Sequence, residues 1–437
     1  MSEVAASLYA WDLADEGVDH ILDTLQDRAL VNATYLVALM HYEKRPLTDY
    51  YYPHNPKRKF YLPEDSRAYW RPSPEMYRDL RIKPLTSERD FLKGKDWLDI
   101  LIQAARRRGM KTGAEISHTV IDYERAENEL IDVIQEDIFG NKFGQLPCWN
   151  NPHAREYLVA LFCDLVKNYD IDFVQTCVRL FEPGRLPGDR RRVTPPGGEA
   201  FLNLIGLVFG GCFCQSCADK AREQGLDWDA IVAKLTELAN AIRRKEPLGF
   251  YQGQLLYGSL ITNEGLLIEM PEFYQWLRFR VESVNSLFKD IYTAIKGIRP
   301  EIDFRYNTFI PTPEITGLDL RSASRYLDSV RSSDYSEQSG DPEMVDKRKR
   351  GWLHAIRRAI GNEKFLNSAI GVRPAATPEL LRMGVRVSAE CGADGISLGH
   401  YDGATMAFLD AIKQGLEEAE VKIVAEWEKP TTLKASS

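Results

Sequence analysis

Phe365-Leu366-Asn367-Ser368-Ala369-Ile370, the helical pattern Pro378 to Cys391, Gly395-Ile396-Ser397-Leu398-Gly399-His400 and the helical pattern Ala404 to Glu418 decide the fold. Short β-rich runs alternate with longer helical ones, which is the sign of a parallel sheet or barrel. Working back toward the N-terminus, the alternation recurs. Strand runs are expected at Ser7 to Asp12, Ala33 to His41, Lys111 to Ser117, Asp172 to Arg179, Asp303 to Phe309 and Ser329 to Tyr335, and helices at Gly17 to Leu30, Glu272 to Ile298 and Met344 to Ile360. With the two runs quoted first these make eight strands, which suit an α/β chain folded as a (β/α)8 TIM barrel with long loop insertions.

The bulk properties agree with one large barrel. The 437 residues are 44% hydrophobic and 27% charged, and the mean hydropathy is −0.35, the composition of a soluble globular chain. A net charge of −8 and a pI near 5.6 argue against a nucleic-acid partner, whose binding would rest on a basic surface. No stretch approaches the run of about 18 apolar residues that a membrane helix needs. The start, Met1 to Asp12, lacks the basic and apolar segments of a signal peptide, so a cytoplasmic protein with no membrane partner is expected. The barrel is expected over residues 1–428, with a frayed tail at 429–437.

Two connections are far longer than average. The first, Tyr42 to about Asp90, carries nine aromatics between Tyr42 and Tyr77, including Tyr50-Tyr51-Tyr52 and Tyr69-Trp70; the second runs from Leu180 to about Thr262. Loops of this length in a compact enzyme are usually lids or binding elements, so Tyr42 to Trp70 of the first is expected to close over the substrate. Its aromatics suit stacking on sugar faces, or equally packing on one another or between copies in a homo-oligomer.

The strongest local signal is Cys212-Phe213-Cys214-Gln215-Ser216-Cys217, because three thiolates within six residues can wrap one tetrahedral zinc at little cost in chain entropy. Cys148, in the turn Pro147-Cys148-Trp149-Asn150-Asn151-Pro152, is the expected fourth ligand. Cys163, Cys177 and Cys391 lie in strand or helix patterns where a small thiol packs well. Four sulfurs leave no open position, so the zinc would be structural, in an insertion spanning about 180–262. The alternative is a set of ordinary reduced cysteines.

The run Cys148-Trp149-Asn150-Asn151-Pro152-His153-Ala154-Arg155-Glu156-Tyr157, followed by Cys212-x-Cys214-x-x-Cys217, resembles the zinc-cluster pattern of the β-galactosidase-type retaining glycoside hydrolases and of related hydrolase-like barrels. The resemblance covers Ala33 to about Leu226 loosely and implies the same barrel, a sugar-binding site and a small carbohydrate substrate. One departure stands out. The family ends its fourth strand with an Asn-Glu pair whose Glu is the acid/base, whereas this chain has Gln175-Thr176-Cys177-Val178-Arg179.

Chemistry in such barrels sits just past the C-terminal strand ends. There the sequence places His41 and Glu43, Glu115 and His118, Arg179 and then Glu182, Asn307, Asp334 and Glu337, Arg373, and His400, Tyr401 and Asp402. Glycoside hydrolysis needs two carboxyl groups, one to protonate the leaving group and one as nucleophile or base. Glu182 with Glu337 is the expected pair, with Asp334 as substitute, and His41, Glu43, Glu115, His118, Arg179, Asn307, Arg373, His400, Tyr401 and Asp402 are expected to line the sugar site. Any one of these acids could instead cap a helix or pair with a base at the rim. The His-acid pairs could also hold a divalent metal, as in sugar isomerases, epimerases or lyases on this fold. A third reading is a barrel that binds sugar without turning it over. Arg373 would serve a phosphorylated substrate.

Overall fold

The computed structural model describes residues 1–41, 51–181, 208–244, 270–308, 316–372 and 375–421. Eight parallel strands close on themselves: β1 (Glu3–Leu8), β2 (Ala33–Met40), β3 (Lys111–Ile116), β4 (Phe173–Thr176), β5 (Asp303–Thr308), β6 (Ser329–Ser332), β7 (Phe365–Ile370) and β8 (Gly395–Leu398). Each pairs with its sequence neighbours, and β1 joins both β2 and β8. Each strand is followed by a helix, α1 (Val18–Ala29), α2 (Trp97–Arg106), α3 (Pro152–Asn168), α4 (Pro271–Ile298), the short α5 (Leu320–Ala323), α6 (Arg350–Ile360), α7 (Pro378–Glu390) and α8 (Met406–Glu418), and the connections carry further helices such as Tyr123–Asn128, Gln215–Glu223 and Trp228–Arg244. The main core lies between the outward strand residues, such as Ala114, Ile116, Val174 and Leu366, and the inward helix faces. No helix among the described residues is long and apolar enough to cross a membrane.

All eight expected strands are present, seven close to their expected limits. The first differs. Expected at Ser7 to Asp12, it runs from Glu3 to Leu8, and Ala10–Glu16 is helical. The Asp12 carboxylate accepts the Tyr9 backbone N–H at 2.9 Å, which caps that turn and stops the strand. The long loop after β2 is described from residue 51 onward. Arg67–Ala68 pairs antiparallel with the end of β2. Trp70 Nε1 and Tyr77 Oη each donate to the buried Asp164 carboxylate at 2.9 Å, so the loop is anchored to α3 at Trp70, where the expected lid ends, and beyond it.

The barrel lumen is polar, where aliphatic layers are usual. Alternate residues of each strand face inward, and at the N-terminal end they bring together Glu3, Lys111, Arg305 and Asn367. Arg305 Nη1 donates to Glu3 Oε1 at 2.6 Å, Lys111 Nζ to Oε2 at 3.0 Å and Asn367 Nδ2 to Oε1 at 3.2 Å. Above this layer Ala5, Ala33, Tyr35 and Phe173 form a small apolar plug. Gly113 is required there, since a Cβ at that position would sit 2.3 Å from the Phe173 ring.

Burial alone would push the Glu3 carboxyl up, but Arg305 and Lys111 outweigh it and hold the group at about 2. A lowered carboxyl stabilises the fold fully above its ordinary value of 4.5, and that contribution is lost as pH falls from there toward about 2. Glu3→Gln is expected to cost about 3 kcal/mol or more at neutral pH, because it strands buried cations. It should also flatten the acid limb of stability against pH, read from denaturant melts.

Candidate active site at the barrel mouth

Above the plug, the next inward residues meet at the C-terminal end. Glu115 of β3 is the centre, 8% exposed. Its Oε2 accepts from Asn307 Nδ2 of β5 at 3.0 Å and from Gln175 Nε2 of β4, and Cys177 Sγ stands 3.5 Å from Oε1. Burial, with the Glu115 charge beside it, pushes the Cys177 thiol well above the ordinary range, so it is a neutral donor. Because both amides turn their nitrogens to Glu115, Gln175 Oε1 and Asn307 Oδ1 are left as buried acceptors without a partner.

Opposite, on β6, lies Arg331. Its Nε donates to Ser397 Oγ at 2.5 Å and its Nη1 to Ser333 Oγ and Tyr335 Oη, both at 3.1 Å. Tyr335 adopts a left-handed backbone with φ +50°, a conformation that costs a non-glycine residue free energy and that recurs at functional sites. The rim is made of histidines and tyrosines. His41 Nδ1 lies 2.7 Å from Ser117 Oγ, the His41 and His118 rings touch with nitrogens 3.2 Å apart, and Tyr9 Oη meets His400 Nδ1 at 2.8 Å. Burial, reinforced by His41, Arg179 and His400, pushes His118 well below the ordinary imidazole range, so this ring is neutral.

Of the residues expected at the site, the structure therefore brings together Glu115, Asn307, His41, His118, Arg179 and His400. Tyr401 is fully buried and donates to Glu16 at 3.0 Å, away from this cluster, and Asp402 is buried beside it. Glu43, Glu182 and Arg373 lie outside the described residues. Asp334 and Glu337 require a correction. Both are buried behind the wall, where Lys349 Nζ stands 3.1 Å from Glu337 Oε1 and 3.7 Å from Asp334 Oδ2. Glu337 Oε2 accepts the Gly371 N–H at 2.9 Å. The carboxylate abuts α7, where a Cβ on Gly384 would fall 2.0 Å from Glu337 Oε1. This is a buried ion pair between barrel and helices, and it removes both acids from the mouth. Gln175, Cys177, Arg331, Tyr335 and Tyr9 were not singled out as site residues; the signal available for Arg331 was its polar alternation with Ser329 and Ser333.

The second constellation lies beside β4. Cys148, Cys212, Cys214 and Cys217 are buried, with ligand atoms all within 4.8 Å of one another, and Cys148 Sγ is 3.4 Å from Cys214 Sγ and 3.5 Å from Cys217 Sγ. A tetrahedral zinc with Zn–S of about 2.3 Å would place its sulfurs about 3.8 Å apart, so this donor set could hold such an ion. The Glu136 N–H points at Cys212 Sγ and Asn150 Nδ2 at Cys217 Sγ, the outer contacts that orient metal-binding thiolates. The cluster also reaches the mouth, because the neighbouring Trp149 Nε1 donates to the Arg179 carbonyl at 2.8 Å. Among the described residues no other group of three or more His, Cys, Asp or Glu could hold a metal ion; Glu43, the acid expected beside His41, lies outside them.

No protein-family model matches the sequence, and no curated protein matches it. Solved structures do. A β-galactosidase from the Antarctic haloarchaeon Halorubrum lacusprofundi superposes with a TM-score of 0.56 at 14% identity, over 96% of this chain and 58% of that one. A β-galactosidase from Bacillus circulans sp. alkalophilus gives 0.55 at 16% identity, over 95% and 55%. The catalytic domain of a β-amylase from Paenibacillus polymyxa gives 0.51 at 11%, over 96% and 98%. The chain has the barrel fold of these glycoside hydrolases. It spans little more than half the length of either β-galactosidase.

The placement of Glu337 yields a direct test. Gly384→Ala forces a Cβ against a carboxylate that cannot move off Lys349, and is expected to cost about 1–3 kcal/mol. Glu337→Gln should lower stability in the same denaturant melts without lowering turnover.

Proposed function

We propose that the protein is a carbohydrate-active enzyme of glycoside-hydrolase type that takes a small glycoside at the barrel mouth, and that Glu115 is one of its two reacting carboxyl groups. The observation that carries this reading is the isolated Glu115 carboxylate at the floor of a polar mouth, fixed by Asn307 and Gln175 and ringed by His41, His118 and His400. Two amides and a thiol form the donor set an ionised carboxylate accepts, which suits the nucleophile or base. Glu182, the first carboxylate in the sequence after β4, is proposed as the proton donor to the departing oxygen. The unpaired oxygens of Gln175 and Asn307 suit sugar hydroxyls. A barrel that binds sugar without turnover is the second reading, favoured by the lack of a carboxylate from Thr176 to Phe181 and from Ile370 to Val372.

The four cysteines are proposed to hold one structural zinc, whose contribution is to fix the Cys148 turn and, through Trp149, the chain at Arg179. Elemental analysis should give one zinc per chain, bound more weakly as pH falls because the thiols must be deprotonated. Cys212→Ser should abolish it and lower the melting temperature.

On a panel of aryl glycosides, Glu115→Gln and Glu182→Gln should each lower kcat/KM by about a hundredfold or more with the melting temperature kept. Near-normal turnover in both variants overturns the pair. Ligand-induced thermal stabilisation of the unaltered protein, with no turnover on any glycoside, selects the binding-only reading.

A further inference from the structure

Arg331 and Arg305 sit in the same lumen at equal depth of burial, 2% and 1% exposed, and their charges are treated differently. Arg305 is paired with Glu3 and with Asp303, the latter at 2.9 Å. Arg331 makes no ion pair among the described residues. Its partners are two serine hydroxyls and one phenol, and its Nη2 has no partner at all. A buried guanidinium without a counter-charge is costly, and removing an anion from such a site usually costs several kcal/mol. The nearby acids do not pair with it directly, and the Glu115 charge favours the guanidinium only through space. Glu115 gives its oxygens to Gln175, Asn307 and Cys177, while Asp334 and Glu337 are held by Lys349 on the far side of the wall. A chain of net charge −8 thus sets the cations Arg331 and Arg179, with three imidazoles, around a mouth in which Glu115 is the carboxylate placed among the described residues.

We propose that the sugar bound at this mouth carries a carboxylate, as a uronic acid does, and that Arg331 Nη2 receives it. The inference rests on the carbohydrate reading above and adds the substrate class. Nε and Nη1 already donate to Ser397, Ser333 and Tyr335, so a carboxylate would be received through Nη2 by one charge-assisted bond. A phosphate, with its larger charge and three acceptor oxygens, would meet the same single nitrogen with more oxygens left unpaired and a stronger repulsion from Glu115. Tyr335 acts as a positioning residue: its hydroxyl holds Nη1, and a Cβ on Gly399 would fall 3.1 Å from its ring, so the wall is fitted to that ring.

The test is calorimetric titration of the full chain with D-glucuronate and D-galacturonate, each against the neutral hexose that differs from it at C6 alone, and with acetate and inorganic phosphate. At least one uronate should bind about tenfold or more tighter than its neutral counterpart. Arg331→Gln should bring that ratio close to one, and Arg331→Lys should keep part of it. Neutral hexoses binding as tightly as the acids, or a preference that survives Arg331→Gln, overturns this proposal and leaves the carbohydrate reading standing. Acetate or phosphate binding with every sugar inert overturns the carbohydrate reading and this one with it. If Arg331→Gln does not fold, the ratio measured on the unaltered protein decides alone.

Discussion

The ionic contact of Glu3 with Arg305 and Lys111 is the constraint on which the rest of the barrel depends. It joins β1, β3 and β5 across the lumen, and Asn367 adds β7. These strands are far apart in sequence, so the contact forms only when the sheet has closed in one register. A slip of one residue in any of them would turn a buried charge into the apolar layer under the helices. Specificity of this kind is dear in desolvation, which is why the two cations and the carboxylate are matched so closely.

The mouth follows from that register. Once Arg305 faces inward, so must Asn307; once Lys111 does, so must Glu115. The site is therefore the continuation of the structural network by one pleat, separated from it by Phe173 and Tyr35. Each layer leaves an amide oxygen unpaired, Asn367 Oδ1 below and Gln175 Oε1 and Asn307 Oδ1 above, but the upper layer also leaves Arg331 Nη2 without a partner, whereas the guanidinium of Arg305 below is bound to Glu3, Asp303 and Ser329. The contrast between the two neighbouring layers lies in that guanidinium.

The barrel and the cysteine cluster were legible in the sequence because each rests on a local signal: alternation of short and long runs, and three thiols within six residues. Glu115, Asn307 and the mouth histidines were legible because strand ends converge. Asp334 and Glu337 were not, for a conformational reason. Tyr335 turns the chain through a left-handed backbone, so Glu337 after it swings behind the wall to Lys349, which also stands near Asp334 just before the turn, and nothing in Asp334-Tyr335-Ser336-Glu337 announces that turn. Arg331 was missed because an arginine within a strand reads as an edge or surface residue until closure places it inside. The anchoring of the chain beyond the expected lid was not legible, because Tyr77 is held by Asp164, a residue on α3 more than eighty positions away in sequence.

The Phe173 and Tyr35 plug has a consequence for traffic. With the lumen stoppered from below among the described residues, Glu115 is not reached by way of the N-terminal end of the barrel. Were a glycoside cleaved there as proposed, the fragment nearer the plug would leave past the place its partner had held, so departure would be sequential, and an inner fragment lodged against the floor would obstruct the next arrival for as long as it stayed.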